Sequence, residues 1–242
     1  MTDIKVKDLC FGYNKDELIF NGFNFNAQQN ESIGIIGANG AGKSTLLKLL
    51  IGLNLNFTGE IKINDITLCK KTLEQIRQKT GYVFQDSDSQ LFMTNVYDDV
   101  AFGPRSYGLT EAEVKEKVLK ALNLTHTEHL KDRIIYTLSG GQKKLVSIAT
   151  ILSMSPEIVL MDEPSIGLDP KNRRNLINIL NGFNYLKIIT SHDLDFIWDT
   201  CSRVVLINSG KLIKEGSTEQ ILRDKDLLEA NGLELPLSLS RM

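Results

Sequence analysis

Cysteine is scarce: the 242 residues hold three, Cys10, Cys69 and Cys201, scattered and without a Cys-x-x-Cys or Cys/His spacing. An odd, dispersed set of thiols excludes a disulfide framework and a zinc site as the basis of the fold and suits a reducing cytoplasm. Long apolar runs are missing too. Nothing approaches the roughly 18 consecutive apolar residues of a membrane span, and the N-terminus, MTDIKVKDLC, lacks the basic and then apolar design of a secretion signal. A role at a membrane must come through docking on a partner. Nor is there an excess of one charge: 28 basic against 30 acidic residues leave a formal net charge of -2. A basic surface for phosphate backbones is therefore not expected, and no nucleic acid is expected as a partner. What is present, 42% hydrophobic and 24% charged residues, suffices for a large core or a core with a subdomain.

Apolar runs alternate with helical patterns: Ile33 to Ile36 then Lys43 to Leu53, Ile158 to Met161 then Pro170 to Leu180, Ile188 to Thr190 then Leu194 to Trp198. Short buried strands followed by helices imply a parallel α/β sheet. The N-terminal stretch and the segments Gly59 to Ile63 and Arg203 to Lys214 read instead as paired strands with turns at Asn64-Asp65 and Asn208-Ser209-Gly210, an antiparallel flank. Between the strand at Tyr82 to Phe84 and that at Ile158 to Met161 the pattern turns helical. Thr110 with Glu113 makes a capping box, and Val114, Val118, Leu119 and Leu122 are expected on one face. Ser217 with Gln220 starts another capped helix. The expected organisation is one unit: a core over 1–85 and 156–225, a helical insertion over 86–155 and a short tail over 226–242.

Two segments carry phosphate chemistry. Gly37-Ala38-Asn39-Gly40-Ala41-Gly42-Lys43-Ser44 fits G-x-x-x-x-G-K-[ST] and stands directly between an apolar strand and a helical pattern that starts at Lys43, Ser44 and Thr45. Its glycines let the loop wind round phosphate, and its amides and helix N-terminus attract negative charge. Lys43 reaches the β and γ phosphates, and Ser44 can ligate Mg2+. The second segment, Ile158-Val159-Leu160-Met161-Asp162-Glu163, ends a buried strand in two carboxylates, where open α/β sheets bind ligands. Asp162 is expected to hold the metal through water, and Glu163 to orient or deprotonate the attacking water.

A third segment, Leu138-Ser139-Gly140-Gly141-Gln142, begins a helical stretch through Met154, with Ser139 as N-cap and two glycines making a second exposed anion site. With it the chain resembles the ATP-binding subunits of ABC transporters, whose signature sequence is LSGGQ; the match runs over nearly the whole length in the expected order. The resemblance implies a P-loop NTPase, RecA-like α/β core with an antiparallel β subdomain and an inserted helical subdomain. It implies ATP hydrolysis with ATP and Mg2+ as ligands. It also implies a head-to-tail pair, in which the signature of one subunit closes over the γ-phosphate held by the other. By the same resemblance Tyr13 is the aromatic that stacks on adenine and Gln85 senses Mg2+ and the lytic water. Asp169 belongs to the loop that communicates across the dimer, and His192 is the switch histidine at the γ-phosphate.

After Gln85, Gln90-Leu91-Phe92 and the run from Val96 to Arg105 resemble the energy-coupling-factor branch of importers, which feed cobalt, nickel or vitamin uptake, and the cobalt-type subunits in particular. This implies an integral membrane transporter subunit as partner and a peripheral place on the cytoplasmic face of the membrane. Leu91, Phe92, Phe102 and Tyr107 are candidate anchors for a docked membrane helix. Three departures stand out. Ser87 replaces a common proline, which suggests a less rigid loop, and Leu145 replaces a common arginine near the dimer interface. The tail after Pro236 is short, so pairing is expected to depend on ATP and the membrane partner. Homodimer and heterodimer both remain open; the ATPase subunit of another ABC importer or exporter is the alternative within transport, and a soluble ABC-type ATPase outside transport is the rival from another class.

Overall fold

The computed structural model describes residues 3–14 and 17–240; of the tail, the last two residues lie outside that range. Alternation along β1 (Asp3–Phe11) and β2 (Phe20–Gln28) buries Ile4, Val6 and Leu9 on one strand and Phe20, Phe23 and Phe25 on the other. That is the period-two pattern of a sheet with one wet face. β4 (Thr58–Ile63) pairs with the free side of β1, and β5 (Ile66–Thr67) follows it, giving an antiparallel sheet in the order β2-β1-β4-β5. Asn64 and Asp65, at φ 51° and 61°, form the two-residue hairpin between β4 and β5. Positive φ at both central residues matches the twist of the flanking strands.

The second sheet holds six strands in the order β10-β9-β3-β8-β7-β6. Here β3 is Ser32–Ile36, β6 Thr80–Val83, β7 Ile158–Asp162, β8 Leu186–Thr190, β9 Arg203–Asn208 and β10 Lys211–Ser217. Every residue of β3, β6, β7 and β8 is buried, as expected of parallel strands covered on both faces. Their alternate residues feed two cores. Ile33, Ile35, Leu160 and Ile188 pack towards the antiparallel sheet and α1 (Lys43–Leu50), while Ile36, Met161 and Ile189 pack towards the helices of the other face.

Three expectations change. The hairpin at Ser209-Gly210 forms, but β9 runs parallel to β3 inside the main sheet and only β10 is antiparallel; a turn signal says that two strands pair, not which sheet they join. Helix α1 stops at Leu50 rather than Leu53, where Gly52 turns the chain at φ 66°. The third change lies among the inserted helices α3 (Val96–Ser106), α4 (Glu111–Leu124) and α5 (Gly140–Leu152), which pack on one another. The Thr110–Glu113 capping box opens α4, whose buried residues are Val114, Val118, Ala121 and Leu122, whereas Leu119 is 38% exposed. A step of 100° per residue turns Leu119 away from Val118, and Ala121 takes its place. The chain is completed by α2 (Leu73–Lys79), α6 (Pro170–Asn181), α7 (Leu194–Thr200), α8 (Thr218–Leu222), opened by the Ser217–Gln220 box, and α9 (Lys225–Ala230).

Candidate functional site

Between the end of β3 and the start of α1 the chain leaves no room for a side chain at Gly37 and little at Gly42. A Cβ on Gly37 would stand 2.1 Å from the Ile207 carbonyl oxygen, and Gly42, the N-cap of α1, has φ 106° with the Phe20 ring against it. No side chain caps α1. Its first amides line the cleft with their hydrogen-bonding capacity unspent, which is what makes a helix N-terminus attract anions.

The cleft, about 330 Å³, is walled by Asn39, Gly40, Ala41, Gly42, Lys43, Ser44 and Thr45 on one side and by Gln85, Glu163 and His192 on the other, with Ile19 at its edge. Lys43 is buried and donates from Nζ to the carbonyls of Gly37 at 2.7 Å and Ala38 at 3.1 Å. Burial lowers its pKa, while the Glu163 and Asp162 carboxylates oppose that shift.

Asp162 sits at the end of β7, held by three hydroxyls. Ser44 Oγ donates to Oδ1 at 2.8 Å, Thr190 Oγ1 to the same oxygen at 2.7 Å, and Tyr82 OH to Oδ2 at 3.2 Å. Burial, and then the Asp162 charge, push the Tyr82 phenol well above its usual pKa and keep it a donor. The next residue, Glu163, takes φ 47°, a left-handed backbone that non-glycine residues seldom adopt and that recurs at functional sites. Its Oε2 accepts from the His192 amide at 3.1 Å. Its Oε1 is buried without a hydrogen-bond partner, 3.2 Å from His192 Nε2 but outside bonding geometry. A buried carboxylate oxygen left with a free lone pair beside this cleft is equipped to accept a proton. The oxygens of Ser44 and Asp162, with the Gln85 side chain on the same cleft, are hard donors that include a single carboxylate. Such a set fits Mg2+, which keeps waters and phosphate oxygens in its shell.

The remaining expected residues lie off this cleft. Tyr13 is 59% exposed and stands edge-on to Phe11 with ring centroids 5.1 Å apart. The Ser139 and Gln142 side chains close a capping box on each other, Ser139 Oγ accepting from Gln142 N at 3.3 Å and Gln142 Oε1 from Ser139 N at 3.0 Å. Gly140 and Gly141 form the first turn of α5 itself rather than a loop ahead of it. Gly140 is exposed with open space around it, whereas Gly141 is buried. Asp169 is the exposed N-cap of α6. A neighbouring depression lined by Gln85, Asp88, Gly140, Lys143, Lys144 and Ile166 adjoins the signature turn, so Gln85 stands between the two regions.

The three departures and the docking anchors also find places. Ser87 opens a short 3-10 turn whose cap, Asp86, accepts from Asp88 N at 3.0 Å and Ser89 Oγ at 2.7 Å. Leu145 is buried in the helical core. Phe92 and Phe102 are exposed and meet edge to face at 4.8 Å, and Tyr107 is partly exposed, but Leu91 is buried at 7% and is not available as an anchor.

Sequence reasoning missed several contributors. Ile19 carries no motif, being an aliphatic residue on the lead-in to β2. Lys144 reads as a solvated charge on a helix, yet it is buried at 3% and donates to the Gln85 carbonyl at 2.6 Å and the Phe84 carbonyl at 3.1 Å. Burial lowers its pKa to about 8 against the pull of Asp86 and Asp162. Its one sequence signal is its place in a helix otherwise rich in buried apolar residues. Thr190 and Tyr82 could be found only through their contact with Asp162.

A family model described as ABC transporter matches residues 20–166. A putative ABC transporter ATP-binding protein of Geobacter sulfurreducens is 44% identical over 236 residues, covering 98% of this chain and 95% of that one. An energy-coupling factor transporter ATP-binding protein of Methanothermobacter thermautotrophicus is 42% identical over 238 residues, covering 96% of this chain and 76% of that one. Among solved structures, cbiO1 from Clostridium perfringens, part of the ABC transporter complex cbiONQ, superposes with a TM-score of 0.85 at 34% identity over 99% of this chain and 98% of that one. The matched stretch runs from β2 through the phosphate loop and signature turn to the carboxylates that end β7, and the chain is a member of the ABC transporter family, an ATP-binding and ATP-hydrolysing subunit.

Proposed function

We propose that this subunit powers an importer of the energy-coupling-factor type, working as one half of an ATP sandwich docked on an integral membrane subunit at the cytoplasmic face. The observation that carries the sandwich is the separation of two half-sites: the phosphate loop, Glu163 and His192 line one cleft open to solvent, while Gly140 of the signature turn lies outside it, exposed with open space around it. The importer branch rests on likeness to the energy-coupling factor ATP-binding protein and to cbiO1. Cobalt, nickel or a vitamin is the proposed cargo, chosen by other subunits.

In this reading Gly37, Asn39, Gly40, Ala41, Gly42 and Thr45 wrap the phosphates and Lys43 leaves its loop carbonyls for the β and γ oxygens. Tyr13 stacks on adenine and Ile19 walls the base side of the cleft. Ser44, Asp162 and Gln85 would hold Mg2+, which when bound supplies charge neutralisation on the phosphates. Glu163 Oε1 accepts the proton of the water that attacks the γ phosphorus as the bond to the bridging oxygen of ADP breaks, and His192 steadies the γ-phosphate. Ser139, Gly140, Gly141 and Gln142 close the partner's site, with Asp169 beside them. A cleft of about 310 Å³ lined by Leu53, Tyr82, Phe84, Tyr107 and Met154, with Phe92 and Phe102 exposed nearby, offers a predominantly apolar seat for a helix of the membrane subunit.

Light scattering of the Glu163→Gln chain with and without Mg-ATP tests the sandwich. A shift from monomer to dimer supports it and makes one chain both halves. A monomer that binds ATP yet never pairs, whether alone, with a co-expressed membrane subunit or with a related ATPase, overturns it.

A further inference from the structure

Helix α6 begins between the signature turn and His192, and two consecutive residues of its first turn reach in opposite directions. Asn172 faces the signature. A Cβ on Gly141 would stand 2.6 Å from Asn172 Nδ2 and 3.1 Å from its Cγ, so the amide lies directly on that glycine. The same Nδ2 donates to Asp169 Oδ2 at 2.6 Å, while Asp169 Oδ1 accepts from the Asn172 backbone N at 2.9 Å. Arg173 faces the other way. Its guanidinium forks onto Asp193, Nε to Oδ2 at 2.7 Å and Nη2 to Oδ1 at 3.1 Å. Nη1 is 3.8 Å from Asp199, and the group lies over the Phe196 ring at 5.6 Å. Asp193 follows His192 directly and caps α7, accepting from Phe196 N at 2.8 Å.

We propose that Asn172 and Arg173 are positioning residues that couple the signature turn to His192 within one subunit. The proposal rests on the sandwich reading, in which the signature serves the partner's nucleotide and His192 serves its own. A shift of the first turn of α5 when it meets the partner's phosphate presses on Asn172. The adjoining fork transmits that displacement to Asp193 and thus to the backbone of His192. A planar bidentate pair fixes orientation as well as distance, which a lysine point charge does not. The link would make hydrolysis at one site depend on whether the other is filled. Contiguity alone is no proof of coupling, so the test must read energy rather than contact.

The experiment is steady-state turnover of the full chain against ATP concentration, at protein concentrations where the dimer forms, with thermal midpoints recorded. Asn172→Ala and Arg173→Met should each lower kcat about tenfold with KM for ATP within about twofold, and the double variant should be no slower than the slower single one, because both cut one link. Arg173→Lys, which keeps the charge but not the fork, should fall with Arg173→Met, and it also serves if the methionine variant does not fold. Lys171→Ala, an exposed change on the same turn, should turn over like the wild type. Wild-type kcat in any folded single variant, losses that appear in KM, or losses that multiply in the double variant overturn the coupling. Failure of the Glu163→Gln chain to pair on Mg-ATP alone, with the membrane subunit and with a related ATPase sinks the sandwich reading separately, whereas pairing with unaltered kcat in the α6 variants sinks only this link.

Discussion

The phosphate cleft and the signature turn are built on opposite plans. In the cleft, Lys43, Asp162 and Glu163 are all at most 6% exposed, and each is gripped by backbone or hydroxyl groups brought in by β3, β7, β8 and α1. At the signature, Ser139 and Gln142 satisfy each other within four residues, and Gly140 is open to solvent. One region is organised by long-range contacts and carries unspent capacity in Glu163 Oε1 and the α1 amides. The other is locally complete and has nothing of its own chain to act on. In the proposed sandwich the first region is the catalytic half-site and the second a recognition surface for another subunit's nucleotide.

Glu163→Gln removes the free carboxylate oxygen and keeps the cradle, so phosphate release should fall by about 10²–10⁴-fold while ATP still binds. Turnover near the wild-type rate would remove Glu163 from the role of base. Next, Lys43→Ala should weaken ATP binding by about tenfold or more, since a buried charge-assisted contact is lost; titration calorimetry giving an unchanged affinity would count against the cradle. Ser139→Ala sharpens the contrast from the other side. It should cost about 1 kcal/mol of stability through the lost cap and weaken ATP-driven pairing, yet leave nucleotide affinity of the monomer unaltered. Equal damage to monomer binding would mean that the two regions are not separate.

The smallest effect concerns pH. Burial lowers the pKa of Lys43, Lys144 and Lys187, that of Lys144 to about 8 from 10.5. Between those values the unfolded chain keeps a proton that the native chain has released, so this group makes stability rise with pH from about 8 and level off near 10.5. Denaturant midpoints of the wild type against Lys144→Met should differ in slope over that window, the variant lacking the Lys144 share.

Local signals were legible wherever a residue's role is set by its neighbours in sequence. The Thr110–Glu113 and Ser217–Gln220 boxes and the turns at Asn64-Asp65 and Ser209-Gly210 form as expected because backbone geometry and short spacing decide them. Lys144 was not legible, because a lysine on a helix looks solvated until the Phe84 and Gln85 carbonyls are placed above it. Leu91 is buried while its neighbour Phe92 is exposed, because a short apolar run in a turn does not say which of its residues faces inward. The order of β9 in the main sheet was hidden for the same reason: strand pairing between distant segments leaves no mark on either one.

By itself the sequence determined that this chain sets a glycine loop between a buried strand and a helix, ends a buried strand in two acids and opens a helix with a signature turn, because each of these depends on residues a few positions apart. Only the tertiary structure decided that Thr190 and Tyr82 hold Asp162, that Glu163 keeps one buried oxygen free beside His192, and that Asn172 and Arg173 bridge Gly141 to Asp193. Those contacts join residues 20 to 80 positions apart or fix an atom's access to solvent, and they exist only once both cores have packed the strands and helices against one another.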